Sequence, residues 1–151
     1  MNLPAKFSVF FNTLIGEWKI SRKVSTGEQF EGTLLVSSLS QGALLFEEVG
    51  HLQIPNGGLI SASRRWIWVF EQSHLQIFFD EKPKRLYHAF EPDFSDGAWR
   101  GEAHHDCAPD IYIGKYELLE DLIVIHQEIR GPKKEYEICS EYRRGYVTQS
   151  S

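Results

Sequence analysis

The stretch Leu122-Ile123-Val124-Ile125-His126-Gln127-Glu128-Ile129-Arg130, then Gly131-Pro132-Lys133-Lys134, then Glu135-Tyr136-Glu137-Ile138-Cys139-Ser140-Glu141-Tyr142-Arg143-Arg144 decides the fold. Successive side chains of a strand point to opposite faces. One face of the first run is therefore Ile123, Ile125, Gln127 and Ile129, and the matching face of the second is Tyr136, Ile138, Ser140, Tyr142 and Arg144. The opposite face of the second run, Glu135, Glu137, Glu141 and Arg143, is built for water. Between them Pro132 pre-sets a turn dihedral and two lysines keep the turn solvated, so the stretch reads as an antiparallel hairpin with one wet side.

The same alternation recurs upstream. Trp18, Ile20, Arg22 and Val24 share a face, as do Phe30, Gly32, Leu34 and Val36, although Leu35 breaks that pattern. Further runs align Arg64, Trp66, Trp68 and Phe70; Leu75, Ile77 and Phe79; Leu86, His88 and Phe90; and Trp99, Gly101, Ala103 and His105. The run from Ala43 to Gly50 gives no clear parity. Turn residues fall at short intervals, at Ser25-Thr26-Gly27, Ser40-Gln41-Gly42, Pro55-Asn56-Gly57-Gly58, Lys82-Pro83, Pro92 to Gly97 and Ala108-Pro109. No intervening segment is long and periodic enough for a crossover helix, so the pattern predicts an all-β antiparallel meander. About 8–10 strands with one apolar face each fit an up-and-down β-barrel, which also removes exposed sheet edges. One helix is expected over about residues 4–14, with Pro4 in its first turn and Phe7, Phe10, Phe11 and Leu14 recurring as one apolar stripe that would close an end of the barrel. The strands then occupy about 17–146, within a single domain of 1–151.

Composition agrees. The chain has 151 residues, of which 42% are hydrophobic, 25% charged and 13% aromatic, a profile neither disordered nor membrane-embedded. The net charge of −5 lacks the basic footprint of nucleic-acid or anionic-membrane binding. The two cysteines, Cys107 and Cys139, sit in no zinc or redox spacing, and no secretory leader or membrane span is read from the N-terminal stretch. A cytoplasmic protein with free thiols and no nucleic-acid or membrane partner is the expectation.

Gly16-Glu17-Trp18, following a short helix and opening the first strand, resembles the G-x-W signature of the lipocalin-like, or calycin, barrels. The resemblance implies a barrel in which an arginine near its end packs over the Trp, and Arg144 is the candidate. The lipocalin T-D-Y motif and disulfide are missing from this chain. A second resemblance, spanning nearly the whole chain, is to a family of small bacterial and fungal proteins known only as a domain of unknown function. It rests on Gly16-Glu17-Trp18 with Arg22, Glu47 to Gly50, Arg64-Arg65-Trp66-Ile67-Trp68, Leu86-Tyr87-His88, His105-Asp106-Cys107 with Asp110 and Tyr112, Gly131 to Tyr136, and Tyr142-Arg143-Arg144. That resemblance implies a barrel and no activity. Arg144-Gly145-Tyr146 also has the letters of the R-x-Y element that fatty-acid-binding members of the superfamily use for a carboxylate.

Polar residues on the apolar face carry the functional reading. Arg22, Arg64, His88, His105, Gln127 and Arg144 all fall there, with Glu47 or Glu48 as the internal counter-ion. An unpaired buried charge costs several kcal/mol, so these arginines must meet carboxylates, stack on Trp or face a solvated, anion-accepting cavity. The expected function is binding of a small amphipathic, anionic ligand in the lumen, through Arg22, Arg64, Trp66, Trp68, His88, His105, Tyr112 and Arg144. For Arg144 the favoured reading is that it simply covers Trp18, with ligand binding second. An enzyme of isomerase or hydrolase type using His88, His105 and Asp110 at one barrel mouth is the alternative, as is a filled barrel serving as an interaction module. His104 and His105 point to opposite faces of a strand, so the His104-His105-Asp106-Cys107 cluster is not expected to hold a metal, and no cofactor is implied. Outward Leu35, Ile67 and Val69 suggest a covered surface, as in a homodimer.

Overall fold

A computed structural model describes residues 1–145. Helix α1 spans Leu3–Asn12. The Asn2 side chain caps its start by accepting from the Ala5 amide at 2.8 Å, Pro4 sits in the first turn, and Thr13 closes it. It starts one residue earlier and stops two earlier than the spacing predicts. Phe7 and Phe11 lie on one face and are buried, with Leu14 just beyond the cap.

Eleven strands follow: β1 (Gly16–Val24), β2 (Gln29–Ser40), β3 (Ala43–Gln53), β4 (Leu59–Glu71), β5 (His74–Phe79), β6 (Arg85–Phe90), β7 (Asp93–Ser95), β8 (Ala98–Cys107), β9 (Asp110–Leu118), β10 (Leu122–Arg130) and β11 (Glu135–Arg144). The count exceeds expectation because three residues, Asp93–Ser95, form a short strand of their own against β8. All ladders are antiparallel, in the spatial order β6-β5-β4-β3-β2-β1-β11-β10-β9-β8-β7. The first strand thus pairs with the last, Trp18 opposite Arg144, and the ladder breaks between the sequence neighbours β6 and β7. The sheet curls until β6 lies against β8, where Gly101 leaves room for Phe90; a Cβ at Gly101 would run into that ring.

The lumen is layered by register. At the α1 end, Phe7 packs on Phe70 and Trp99 with ring centroids 4.6 and 5.1 Å apart. Trp18 is fully buried, and its indole N–H donates to the Leu14 carbonyl at 2.9 Å. Arg144 lies over that ring at 4.0 Å and donates to the carbonyls of Thr13, Ile15 and Glu120, pinning the helix terminus to the last strand. Gly16 is the residue that permits this: its φ is +137°, and a Cβ there would crowd the Arg144 guanidinium at 3.2 Å.

Two expectations change. Simple alternation places Leu86 inside, but a β-bulge between Ile77 and Phe78 shifts the β5–β6 register, so Leu86 is exposed while Tyr87 and His88 both turn inward. Ile67 faces the outer side yet is buried within the single chain, laddered between Leu45 and Phe78; only Leu35 of the three outward apolar residues is exposed. The covered surface therefore needs no second subunit at Ile67.

Candidate functional site

Opposite the helix, the barrel opens into a cup of about 520 Å³, within the ordinary range for small-molecule sites. Its walls are Val24, Phe30, Leu52, Ala62 and Ile138, and its rim includes Thr26, Glu28, Ser63 and Tyr136. Beneath it the lumen is almost filled, with a residual space of about 20 Å³ among Trp66, Trp68, Ile77, Tyr87 and Tyr116. Arg22, Glu48 and Arg64 border both spaces and form the floor of the cup.

Alternation along β3 turns Glu48 inward and Glu47 outward, since Glu48 sits level with Leu34 on β2 and Arg64 on β4. Only 2% of Glu48 is exposed. Its carboxylate accepts from Arg22 Nη2 at 2.9 and 3.1 Å and from the Tyr142 hydroxyl at 2.6 Å. Arg22 Nε donates to Ser140 Oγ at 2.7 Å, and Nη2 also reaches the Tyr142 oxygen at 2.8 Å. Burial works against the Arg22 charge most strongly, but Tyr142 and Glu48 outweigh it and leave its pKa above the usual value. Burial, and then the Glu48 charge, hold the Tyr142 phenol neutral. Among the described residues, Arg22 Nη1 has no protein partner. Arg64 makes neither a hydrogen bond nor an ion pair there; its guanidinium rests over Trp66 at 5.1 Å.

The remaining expected site residues divide into three groups. Trp66 and Trp68 lie in the packed layer below the floor, Trp68 stacked on Phe46 at 4.1 Å and Trp66 against Phe79 and Tyr87. His88, His105 and Tyr112 gather around Tyr87 on a different part of the wall and do not border the cup. Arg144 is at the helix end, far from the cup, and Tyr146 lies outside the described residues.

His88 is a satisfied core residue, 1% exposed, over the Cβ-less Gly114. Its Nε2–H donates to the Tyr112 carbonyl at 3.2 Å, and Nδ1 accepts from the Tyr116 hydroxyl at 2.5 Å. Burial, aided by His105 and His104 and opposed by the Tyr112 carbonyl, lowers its pKa to about 4. Both nitrogens are engaged and the ring is neutral at physiological pH. Asp110 pairs with Lys134, 3.6 Å off, and among the described residues no hydrogen bond joins it to His88 or His105. His104 turns outward to Glu102, and Cys107 is exposed. A different donor cluster lies on the outer face, where ligand atoms of His126, Glu128 and Glu137 come within 4.8 Å of one another, though Arg130 already holds Glu128 at 2.7 Å. The sequence reading missed it because Glu128 and Glu137 meet only through the hairpin register. It also missed Ser140 and Tyr142 as polar partners of Arg22, although their inward parity was readable.

The sequence pattern of a family of unknown function, DUF6314, matches residues 14–144. This chain belongs to that family. No curated protein matches it. Among solved structures, EF1p2_mFAP2b bound to DFHBI superposes with a TM-score of 0.50 at 11% identity, covering 91% of this chain and 98% of that one. A de novo designed fluorescence-activating β-barrel gives 0.43 at 13% identity, covering 89% and 95%. The first of these likenesses shows the family member's barrel fold and nothing further. No helix among the described residues is long and apolar enough to cross a membrane.

Proposed function

We propose that this protein is a cytoplasmic, single-domain, lipocalin-like barrel that binds a small amphipathic anion in the open cup. The observation that carries the reading is Arg64: an exposed guanidinium that borders the cup with no protein counter-ion among the described residues, beside Arg22, whose Nη1 is unused. Two cations against one buried carboxylate leave the floor of the cup with an excess of one positive charge in a protein whose net charge is −5. An anion can take charge-assisted hydrogen bonds from both guanidiniums, while Val24, Phe30, Leu52, Ala62 and Ile138 cover its apolar part. The filled layer under the floor limits the ligand to the cup. Two free cysteines fit a reducing compartment.

Native mass spectrometry of the protein purified from its own host, beside an Arg64→Met variant, tests this reading. A stoichiometric small anion that the variant loses is the expected result. A bare polypeptide mass, together with no binding of added decanoate, overturns it.

A further inference from the structure

The cup is not merely cationic. Its polar groups are arranged by depth. Arg22, Glu48 and Arg64 lie at the floor, whereas Glu28 sits at the mouth in the β1–β2 turn, next to Thr26. Ala62 and Leu52 stand further toward the mouth than Arg64 and Glu48 on the same strands, so the apolar wall lies above the charged floor. An amphipathic anion that enters head first brings its head to the guanidiniums and leaves its tail along Val24, Phe30 and Leu52.

Once there, the head meets a fixed carboxylate as well as two cations. Glu48 cannot turn aside, because both its oxygens are held, one by Arg22 and the other by Arg22 and Tyr142. Glu48 is itself only 2% exposed, so its charge is screened less than that of a carboxylate in water. One negative charge on the ligand balances the floor; a second meets Glu48 below and Glu28 above without a cation of its own. The donors on offer are the N–H fork of Arg64 and the remaining Nη1 of Arg22, which together suit a head with two or more oxygens.

We infer that Glu48 sets the charge of the ligand head, so that the cup accepts a monoanion with two or more oxygens, a carboxylate or sulfonate on an apolar tail, and discriminates against the dianion of a phosphate monoester. This rests on the anion-binding reading above and adds to it a residue that determines specificity. Glu48 acts through Arg22 and through the field it imposes.

Calorimetric titration with decanoate and with decyl phosphate at about pH 8, where a phosphate monoester is doubly charged, tests it. Wild-type protein should bind decanoate at least about tenfold more tightly, and Glu48→Gln should erase or reverse that preference. Ala62→Lys, which adds a cation to the cup wall and leaves Glu48 in place, should shift the preference the same way because it changes the same charge balance; if Glu48→Gln does not fold, the wild-type comparison still tests the role of Glu48. Equal affinities in the wild type, or a preference unchanged in both variants, overturn the role of Glu48 while leaving anion binding intact. Failure of both probes to bind overturns the anion-binding reading itself.

Discussion

Replacing Glu48 by Ala leaves the Arg22 charge under the cup without its carboxylate, its Nη2 bonded to Tyr142 alone, and removes the acceptor of the Tyr142 hydroxyl. The side chains of Arg22 and Glu48 are 12% and 3% exposed, so water replaces little of what is lost. Breaking a buried pair by removing one partner costs about 3–5 kcal/mol, because an uncompensated charge remains. In urea, with an m-value of about 2 kcal/mol/M, that lowers the unfolding midpoint by about 2 M. Arg22→Met alone should cost a similar amount, since it strands Glu48 and Ser140. The double variant Arg22→Met/Glu48→Leu should cost only about 1–3 kcal/mol, chiefly for the Tyr142 and Ser140 hydroxyls left without partners. The cycle therefore predicts a coupling of at least about 3 kcal/mol, far above the median of a surface ion pair. Additive single costs, or a Glu48→Ala loss under about 1 kcal/mol, would show that the floor is open to water and refute the reasoning.

His88 makes stability depend on acidity. Its folded pKa of about 4 lies below the ordinary His value, so the unfolded chain binds the extra proton first and stability falls as pH drops from about 6.5 to about 4; the loss is roughly 3 kcal/mol, and His88→Gln should remove this component from urea midpoints measured across that range. Arg144→Met should destabilise by about 2–3 kcal/mol, through the lost cation–π contact and three carbonyls left without their donor, and leave decanoate affinity unchanged by titration, because it lies at the other end of the barrel. Gly114→Ala puts a Cβ within 2.5 Å of the His88 ring and should lower stability by about 1–3 kcal/mol, read from thermal melts.

Where parity ran unbroken, the sequence was enough. In β1, Trp18 and Ile20 are buried and Lys19 and Lys23 exposed, as alternation requires, and Phe7 and Phe11 fall on one helical face. In β3 the pattern was illegible because Leu44, Leu45 and Phe46 are all buried: Leu45 points outward but packs beside Ile67, so apolarity there does not mark the lumen. The β6 misreading has a single cause, the bulge that turns Tyr87 and His88 to the same side, which no residue in the stretch announces. The arginines on the apolar face were visible as anomalies, but their fates were not. Arg22 finds Ser140, 118 residues away, and Arg144 finds Thr13, 131 residues away. Only register sorts one to the cup and the other to the closed end.

That same register places the unladdered seam between β6 and β7, two strands that follow each other in the chain, and asks the two most distant strands to pair. Folding therefore has to close a loop spanning most of the sequence before Trp18 meets Arg144, a topology that slows assembly. Cutting the polypeptide in the 91–92 connection would sever no ladder. If the old ends were joined, the strand order of the sheet would equal the order of synthesis from β7 round to β6. Such a circular permutant should fold faster than the natural chain in stopped-flow refolding, with little loss of stability, since its contact order falls while every strand pairing is kept.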